Sequence, residues 1–249
     1  ESSEKGGKDK SDETSTYVVF GNSAGFGPQI DLEGIDGTSG FVLTGPKQSD
    51  KERSSIATGD LNGDGIDDLI VSAFDNQEEG KGKDKDKDKD KDKPNSTYVV
   101  FGTSEGFDAT TDFTSLDGSN GFTILGLEKS EKNSLAVETG DINGDGIEDL
   151  ILGGFENKGG GKDKESSSYV LFGSNSGFAP EIDLENIDGS NGIVMTAPEK
   201  KSDKSLNSIA SGDVNGDGVD DVILGGFEES SKDKTASTYV VFGGGTLAT

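Results

Sequence analysis

The sequence DLNGDGIDDL at residues 60–69 decides the fold, because the chain repeats it. Copies with conservative changes lie at 141–150 and 213–222, so the first Asp steps by 81 residues (60 to 141) and then by 72 (141 to 213). A segment copied at a long period is typical of repeat architectures. Most of the difference between the two steps comes from a Lys-Asp run at 83–93, which we interpret as an insertion inside one repeat.

Oxygen-bearing residues occupy alternate positions of this acidic loop. Positions 1, 3, 5 and 9 carry Asp or Asn side chains, position 6 is a glycine that permits a sharp bend, and position 7 can offer its backbone carbonyl. Hard oxygen donors at this spacing suit Ca²⁺, which takes about six to eight such ligands. The sequence therefore predicts three Ca²⁺ sites. Their ligands, in chain order, are Asp60, Asn62, Asp64, Ile66 and Asp68; Asp141, Asn143, Asp145, Ile147 and Asp149; and Asp213, Asn215, Asp217, Val219 and Asp221.

Two alternative interpretations of the loop are weaker. An EF-hand needs Glu at position 12 and flanking helices, whereas position 12 here is Val71, Leu152 or Leu224. Asp-Gly and Asn-Gly steps also make metal-free hairpin turns, but such a turn has no need of three clustered carboxylates, which repel one another. The acidic residues at position 8 are expected to face solvent rather than metal. They are Asp67, Glu148 and Asp220.

Four short strands are predicted in each repeat. In the first repeat they are Ser55–Thr58, Asp68–Phe74, Tyr98–Phe101 and Gly121–Leu125, each rich in β-branched or aromatic residues and bounded by Gly or Asp. No sustained 3.6-residue apolar period is present, so helices should be minor. We therefore predict an all-β fold of β-propeller blades, each with four antiparallel strands, and three full repeats. The counterpart strands are 149–155, 221–227, 40–43, 192–195 and 208–211.

The repeat predicts five segments along the chain. These are a polar N-terminal tail at 1–14, strands three and four of a split blade at 15–53, repeat 1 at 54–134 with the Lys-Asp insertion at 80–95, repeat 2 at 135–207, and partial repeat 3 at 208–249. Because propellers have about four to eight blades, three repeats do not readily close a ring. The expectation is a remainder of a longer chain, or a head-to-tail homo-oligomer in which 15–44 completes the blade begun at 208–227.

Composition excludes several classes of function. The 249 residues include no Cys and no His, which excludes disulfides, thiolate metal sites and imidazole chemistry. With 49 Asp and Glu against 23 Lys and Arg, the net charge of −26 disfavours nucleic acid as a partner. No apolar run approaches the roughly 18 residues of a membrane helix, so no membrane insertion is expected. All basic residues fall in the tail or in loops predicted to lie opposite the acidic loops, which predicts one acidic and one near-neutral face.

The motifs resemble FG-GAP repeats. The resemblance rests on the D-x-N-x-D-G-x-x-D loop, the D-L-I-V strand after it at 68–71 and the Y-V-V-F-G strand at 98–102, and it extends over about 15–243. This family forms the calcium-bearing β-propeller of integrin alpha subunits and of many bacterial and cyanobacterial surface proteins. The resemblance implies Ca²⁺ at the loop between strands one and two, and an extracellular or cell-surface location.

Two functions are compatible with these features. The first is a non-catalytic, calcium-binding adhesion or extracellular-matrix module that contacts a protein or glycan through the loops opposite the metal sites. The alternative is a calcium-dependent carboxylate hydrolase or lyase acting on polysaccharide. Near-identical copies of the acidic loop favour a structural role, since general acid–base catalysis needs carboxylates in unlike environments. Glu138 is the one irregular carboxylate, and a strand bulge explains it at least as well as a catalytic role does. We therefore predict that the protein is not an enzyme.

Overall fold

A computed structural model describes residues 14–45, 55–73, 96–126, 136–157, 165–196, 208–229 and 234–244. Within these ranges the protein is all-β, with 15 strands, three short 3₁₀ turns and no α-helix. The chain divides into two compact units. Unit 1 comprises residues 1–50 and 105–115, and unit 2 comprises residues 51–104 and 116–249.

The strands, numbered in chain order, are β1 Thr14–Val19, β2 Gly40–Gly45, β3 Ser55–Gly59, β4 Asp68–Ala73, β5 Ser96–Val100, β6 Thr110–Asp112, β7 Gly121–Leu125, β8 Ala136–Gly140, β9 Asp149–Asn157, β10 Glu165–Leu171, β11 Glu181–Asp183, β12 Gly192–Thr196, β13 Ser208–Gly212, β14 Asp221–Glu229 and β15 Lys234–Val241. The 3₁₀ turns are Leu32–Gly34, Phe113–Ser115 and Leu184–Asn186.

Unit 2 contains three sheets that correspond to the predicted blades. The first blade has the order β7-β5-β4-β3, the second has the order β12-β10-β9-β8, and the third has the order β13-β14-β15. Neighbouring strands within each blade are antiparallel. The first and second blades therefore have the four-stranded antiparallel form expected of propeller blades.

Apolar side chains on both faces of the second blade pack against its neighbours. One buried cluster joins the first and second blades through residues such as Ile70, Phe122 and Leu150. A second cluster, which includes Ile151 and Val222, joins the second and third blades. A sheet that buries both faces reads as near-continuous apolar sequence, which explains why β9 of the second blade lacks a clear alternation of polar and apolar residues.

Unit 1 is a three-stranded sheet of order β1-β2-β6. β1 pairs antiparallel with β2, and β6 pairs parallel with the other edge of β2. Phe41 of β2 stacks on Phe107, with ring centroids 4.1 Å apart. Phe113, in the 3₁₀ turn after β6, is buried against Gly45.

Two features of the strands differ from the sequence expectations. Short parallel strands were not predicted: β6 pairs with β2, and β11 adds a fifth strand to the first blade by pairing with β7. A bulge does not explain Glu138, because Glu138 pairs regularly with Ile151. The register shift lies instead between Ser167 and Tyr169 of β10, where that strand pairs with β9.

Several sequence predictions fall outside the described residues. They concern Phe74, the N-terminal tail up to residue 13 and the Lys-Asp insertion at 80–95. Of the 23 basic residues, Lys234 alone lies within the described ranges. The predicted separation of charge between two faces therefore stays a prediction.

Candidate metal loops

The three acidic loops connect the first two strands of each blade, namely β3 to β4, β8 to β9 and β13 to β14. Two glycines in each loop have positive φ, and in the first loop these are Gly63 (72°) and Gly65 (87°). L-residues with a Cβ rarely adopt this conformation. The Asn-Gly-Asp-Gly sequence therefore permits the chain to wind tightly around its own side-chain oxygens.

Short-range hydrogen bonds fix the side chains of positions 1, 3 and 5. The carboxylate of Asp60 accepts the backbone N–H of Asp64 at 3.0 Å and that of Gly65 at 2.7 Å. Asn62 Oδ1 accepts the Asp64 N–H at 2.9 Å, and Asp64 Oδ1 accepts the Ile66 N–H at 2.8 Å. The second and third loops repeat this pattern. The structure thus brings the three side chains together in each loop.

The Asp at position 9 is completely buried in every loop, and these residues are Asp68, Asp149 and Asp221. Asp68 accepts the N–H of Leu61 at 3.0 Å and the N–H of Gly102 at 2.9 Å. Gly102 follows the third strand of the blade, so this carboxylate ties the loop to β5 as well as to β4. In the other two blades, Asp149 and Asp221 accept the N–H groups of Gly173 and Gly243 in the same way.

Burial makes the ionised form of these carboxylates costly. Loss of solvent, with a smaller contribution from the neighbouring carboxylates Asp60 and Asp64, raises the pKa of Asp68 to about 7 even though two backbone N–H groups stabilise its charge. Burial likewise raises the pKa of Asp149 to about 6. At the exposed Asp213 the effect is opposite, because the hydrogen bond from the Gly218 N–H lowers its pKa. A cation beside position 9 would favour the charged carboxylate.

The position-8 residues are not simply solvent-facing. Asp67 is exposed, whereas Glu148 and Asp220 are half-buried. The Asp220 carboxylate accepts the backbone N–H of Asp141 at 3.2 Å. The expectation of solvent exposure is therefore wrong for Asp220, because the loop of one blade packs on the loop of the preceding blade.

Backbone hydrogen bonds join successive acidic loops. The carbonyl of Asp60 accepts the N–H of Glu148 at 3.2 Å, and the carbonyl of Asp141 accepts the N–H of Asp220 at 3.0 Å. The next carbonyl along each loop is also bound, by Ser174 in the first case and by Gly244 in the second. Every candidate metal loop that is followed by another blade is thus held by two backbone bonds from that blade.

The donors of each loop fit Ca²⁺ in kind, since they are carboxylate, amide and carbonyl oxygens. An oxygen that accepts one N–H keeps a further lone pair for a cation. In the second and third loops, one amide N–H of the Asn at position 3 donates to the Asp at position 5. Within the described residues, no group of three or more Asp, Glu, His or Cys side chains is arranged to hold a metal ion. Binding would therefore require the Asn and Asp side chains to reorient.

Sequence reasoning missed the residues that attach each loop to its surroundings. One is the glycine that closes the third strand, where a Cβ at Gly102 would lie 2.6 Å from Cγ2 of Ile66. Another is Thr139, whose hydroxyl donates to the carbonyl of Thr58 at 2.8 Å. The glycine that ends every Tyr-Val-(Val/Leu)-Phe-Gly copy is the one signal that could have indicated this contact.

Comparison with known proteins places the first acidic loop in a family. Residues 53–82 match the FG-GAP repeat family. This segment contains β3, the first acidic loop and β4, which are the first two strands of the first blade and the loop between them. Residues 53–82 are thus similar to an FG-GAP repeat, and the described part of this segment lies in the first blade of an all-β fold.

The comparison with curated protein sequences found no significant match. In the part of the chain that the structure describes, no helix is long and apolar enough to cross a membrane.

Proposed function

We propose that this protein is a non-catalytic, calcium-binding adhesion or matrix module that works outside the cell or at its surface. One observation carries the proposal: three loops with oxygen donors at the same positions share one internal hydrogen-bond pattern, and each grips a buried Asp. FG-GAP repeats occur in extracellular adhesion domains, and the match at 53–82 supports the same setting for this chain.

The loops have a structural reason to require a cation. In the first loop Asp60, Asp64 and the buried Asp68 bring three carboxylates together, and nearby like charges raise the pKa of Asp68. When bound, Ca²⁺ would supply positive charge that offsets this repulsion. Because the Asp60 carbonyl is bonded to the next blade, a loop with fixed side chains also fixes the junction between blades.

The chain's ligand surface is proposed to lie in the loops opposite the acidic loops. These loops hold nearly all the Lys and Arg residues, so they can pair with acidic groups on a protein or glycan. Fixed junctions between blades would hold such loops at constant spacing, which lowers the entropic cost of binding. Screening a glycan and peptide array with and without Ca²⁺ tests this part, and equal binding to all spots would contradict it.

The hydrolase or lyase alternative is not favoured by the site. A general acid needs a raised pKa and access to substrate. Asp68 and Asp149 have raised pKa values, but both are completely buried beneath their loops. Substrate would not reach them, so we propose a structural role for these carboxylates.

Calorimetric titration with Ca²⁺ tests the metal sites directly. We expect three sites per chain and a melting temperature that falls when chelator replaces Ca²⁺. At about ten times Kd each ion adds about 1.4 kcal/mol to the free energy of unfolding. Asp64→Ala should remove one site, whereas Asp67→Ala, which changes an exposed carboxylate in the same loop, should leave three. Identical melting in chelator and in Ca²⁺ would overturn the proposal.

A further inference from the structure

One segment occurs three times in the chain but is docked only twice. We call it the docking segment, and its copies are residues 25–32, 106–113 and 177–184. Each copy lies between the third and fourth strands of a repeat, begins with Gly-Phe and ends with Leu or Phe. In the second and third copies it forms β6 and β11, which add in parallel to the fourth strand of the preceding repeat.

The docked copies bury their apolar residues. Phe178 stacks on Phe122 with ring centroids 4.4 Å apart, and Leu184 is only 1% exposed. The first copy lacks this cover. Phe26 is 57% exposed and Leu32 is 44% exposed. Residues 25–32 therefore present the apolar side chains of a docking segment without a receiving strand.

The matching receiving strand is β12. β2 and β7 each receive a docking segment, whereas β12 is the edge of its sheet within the described residues. Its Ile193 and Met195 are only partly buried, although the equivalent Phe122 and Ile124 of β7 are buried. In the register that joins Glu181 to Thr123, Gln29 would face Val194, which is exposed.

The third acidic loop also lacks a covering blade within the described residues. Leu61 and Ile142, at position 2 of the first two acidic loops, are buried under the following blade, whereas the equivalent Val214 is exposed. Within the described residues, the Asp213 carbonyl accepts no bond like the one that Glu148 donates to Asp60. The third blade also has no fourth strand in that part of the chain.

We propose that two copies of this chain assemble head to tail into a closed six-bladed ring. Residues 25–32 of one copy dock on β12 of the other, and β1 and β2 supply strands three and four of the other copy's third blade. Asp67 of the incoming first blade would then take the position opposite the Asp213 carbonyl. The ring does not depend on the proposed calcium sites.

Strand exchange lowers the free-energy cost of this assembly. β1 would replace β15 beside β14. The same heptapeptide, Ser-Thr-Tyr-Val-Val-Phe-Gly, lies at 15–21 and 237–243, where its first five residues belong to β1 and β15 and its last two follow the strand. The contacts made by that heptapeptide against β14 are therefore regenerated when one strand replaces the other. Exchange of identical elements between protomers is a low-cost route to a dimer.

The number of blades favours a dimer over other oligomers. Within the described residues, each copy contributes two complete blades and one composite blade, so these residues give three blades for one copy, six for two copies and nine for three. Propellers have about four to eight blades. Two copies alone fall inside this range, and the heterologous contact closes after two steps rather than growing into a filament.

Light scattering on the 249-residue chain measures the expected mass. The chain has a mass of 25.8 kDa, so the ring should have twice that mass, 51.6 kDa. The net charge of −26 on each copy opposes association, so the measurement belongs at about 0.15 M salt, where the Debye length is about 8 Å. Phe26→Asp should shift the chain to the monomer mass with an unchanged circular dichroism spectrum. Phe242→Asp is the matched control. Phe242 is 58% exposed, and in the ring it would lie outside the interface because β1 displaces β15 and the residues that follow it.

Cross-linking tests the register. The chain has no Cys, so a Gln29→Cys chain mixed with a Val194→Cys chain offers one designed disulfide. We expect it to form at least about tenfold faster than the disulfide between Gln29→Cys and Ser176→Cys chains, since Ser176 is exposed but outside the proposed interface. Phe26→Asp in the Gln29→Cys chain should abolish the difference.

Each other outcome would overturn the ring. A monomer mass at all concentrations would exclude a second copy as the occupant, and so would an intramolecular disulfide in a Gln29→Cys/Val194→Cys double variant. Masses that grow beyond the dimer would exclude closure at six blades. Equal loss of association in Phe26→Asp and Phe242→Asp would show nonspecific apolar association.

Discussion

The acidic loops of the first and third blades share their sequence pattern and their internal hydrogen bonds, yet their surroundings differ. Leu61 in the first loop is 1% exposed, and Val214 at the same position of the third loop is 56% exposed. The first loop is followed by a blade that covers it, and the third loop is not followed by one within the described residues. The local sequence thus determines the shape of the loop, whereas a neighbouring blade determines its burial.

The largest difference between these loops should appear when position 2 is truncated. Leu61→Ala removes a buried side chain and should lower the free energy of unfolding by about 3 kcal/mol. Val214→Ala changes an exposed side chain and should lower it by less than about 0.5 kcal/mol. Urea denaturation of both variants measures the difference, in a Phe26→Asp background that keeps the chain monomeric.

Ile142→Ala provides the control for that comparison, because Ile142 occupies position 2 of the covered second loop. It should behave like Leu61→Ala. Equal losses at Leu61 and Val214 would mean that the two loops do not differ in burial in solution.

A smaller difference is expected at position 9. Asp149 accepts backbone N–H groups from Ile142 at 2.9 Å, Asn143 at 3.1 Å and Gly173 at 2.9 Å. Asp149→Ala leaves these donors unpaired in a covered loop, and each unpaired buried donor costs about 1–3 kcal/mol. The raised pKa of Asp149 shows that burying its charge is itself unfavourable, so the net loss should be about 2 kcal/mol.

Asp221→Ala should cost about half as much. Asp221 accepts the N–H groups of Val214 and Gly243, and water can replace the carboxylate at the exposed Val214. Both variants are compared by urea denaturation in the Phe26→Asp background, so that a second copy does not cover the third loop, and in chelator, so that loss of a metal ligand does not contribute. A larger loss for Asp221→Ala than for Asp149→Ala would contradict the assignment of the third loop as the uncovered one.

The parts of the fold that sequence predicts are those specified by local chemistry. The fourth strand Gly121–Leu125 was predicted with its observed bounds, because glycine and Asp-Gly steps delimit it. The parallel strands β6 and β11 could not be predicted, since Thr110–Asp112 and Glu181–Asp183 are too short to show a period and form only against another repeat. The list of metal ligands follows from spacing and stays a prediction, whereas the roles of Gly102 and Asp220 depend on contacts between strands and blades.

The Asp-Gly turns before the fourth strands differ from the acidic loops, because a neighbouring blade should not affect the pKa of their Asp residues. The Thr38 hydroxyl, with backbone N–H groups of Thr38 and Ser39, lowers the pKa of Asp36 to about 2. Hydroxyls at Ser119 and Ser190 lower the pKa of Asp117 and Asp188 in the same way. These turns share one local hydrogen-bond pattern, in which the Asp carboxylate accepts from the residue two positions on.

Because the folded-state pKa of these exposed Asp residues lies below the unfolded value, their charge stabilises the fold above about pH 4, and this contribution is lost as the pH falls toward 2. Asp188→Asn should therefore lower the urea midpoint slightly at pH 5, and the difference from the unsubstituted chain should shrink as the pH approaches 2. Asp36→Asn should give the same pH profile in unit 1, because the turn is local. A pH-independent difference for either variant would show that the amide disturbs the turn itself. A difference at Asp188 without one at Asp36 would show that the surrounding repeat, rather than the turn alone, holds the carboxylate in its charged form.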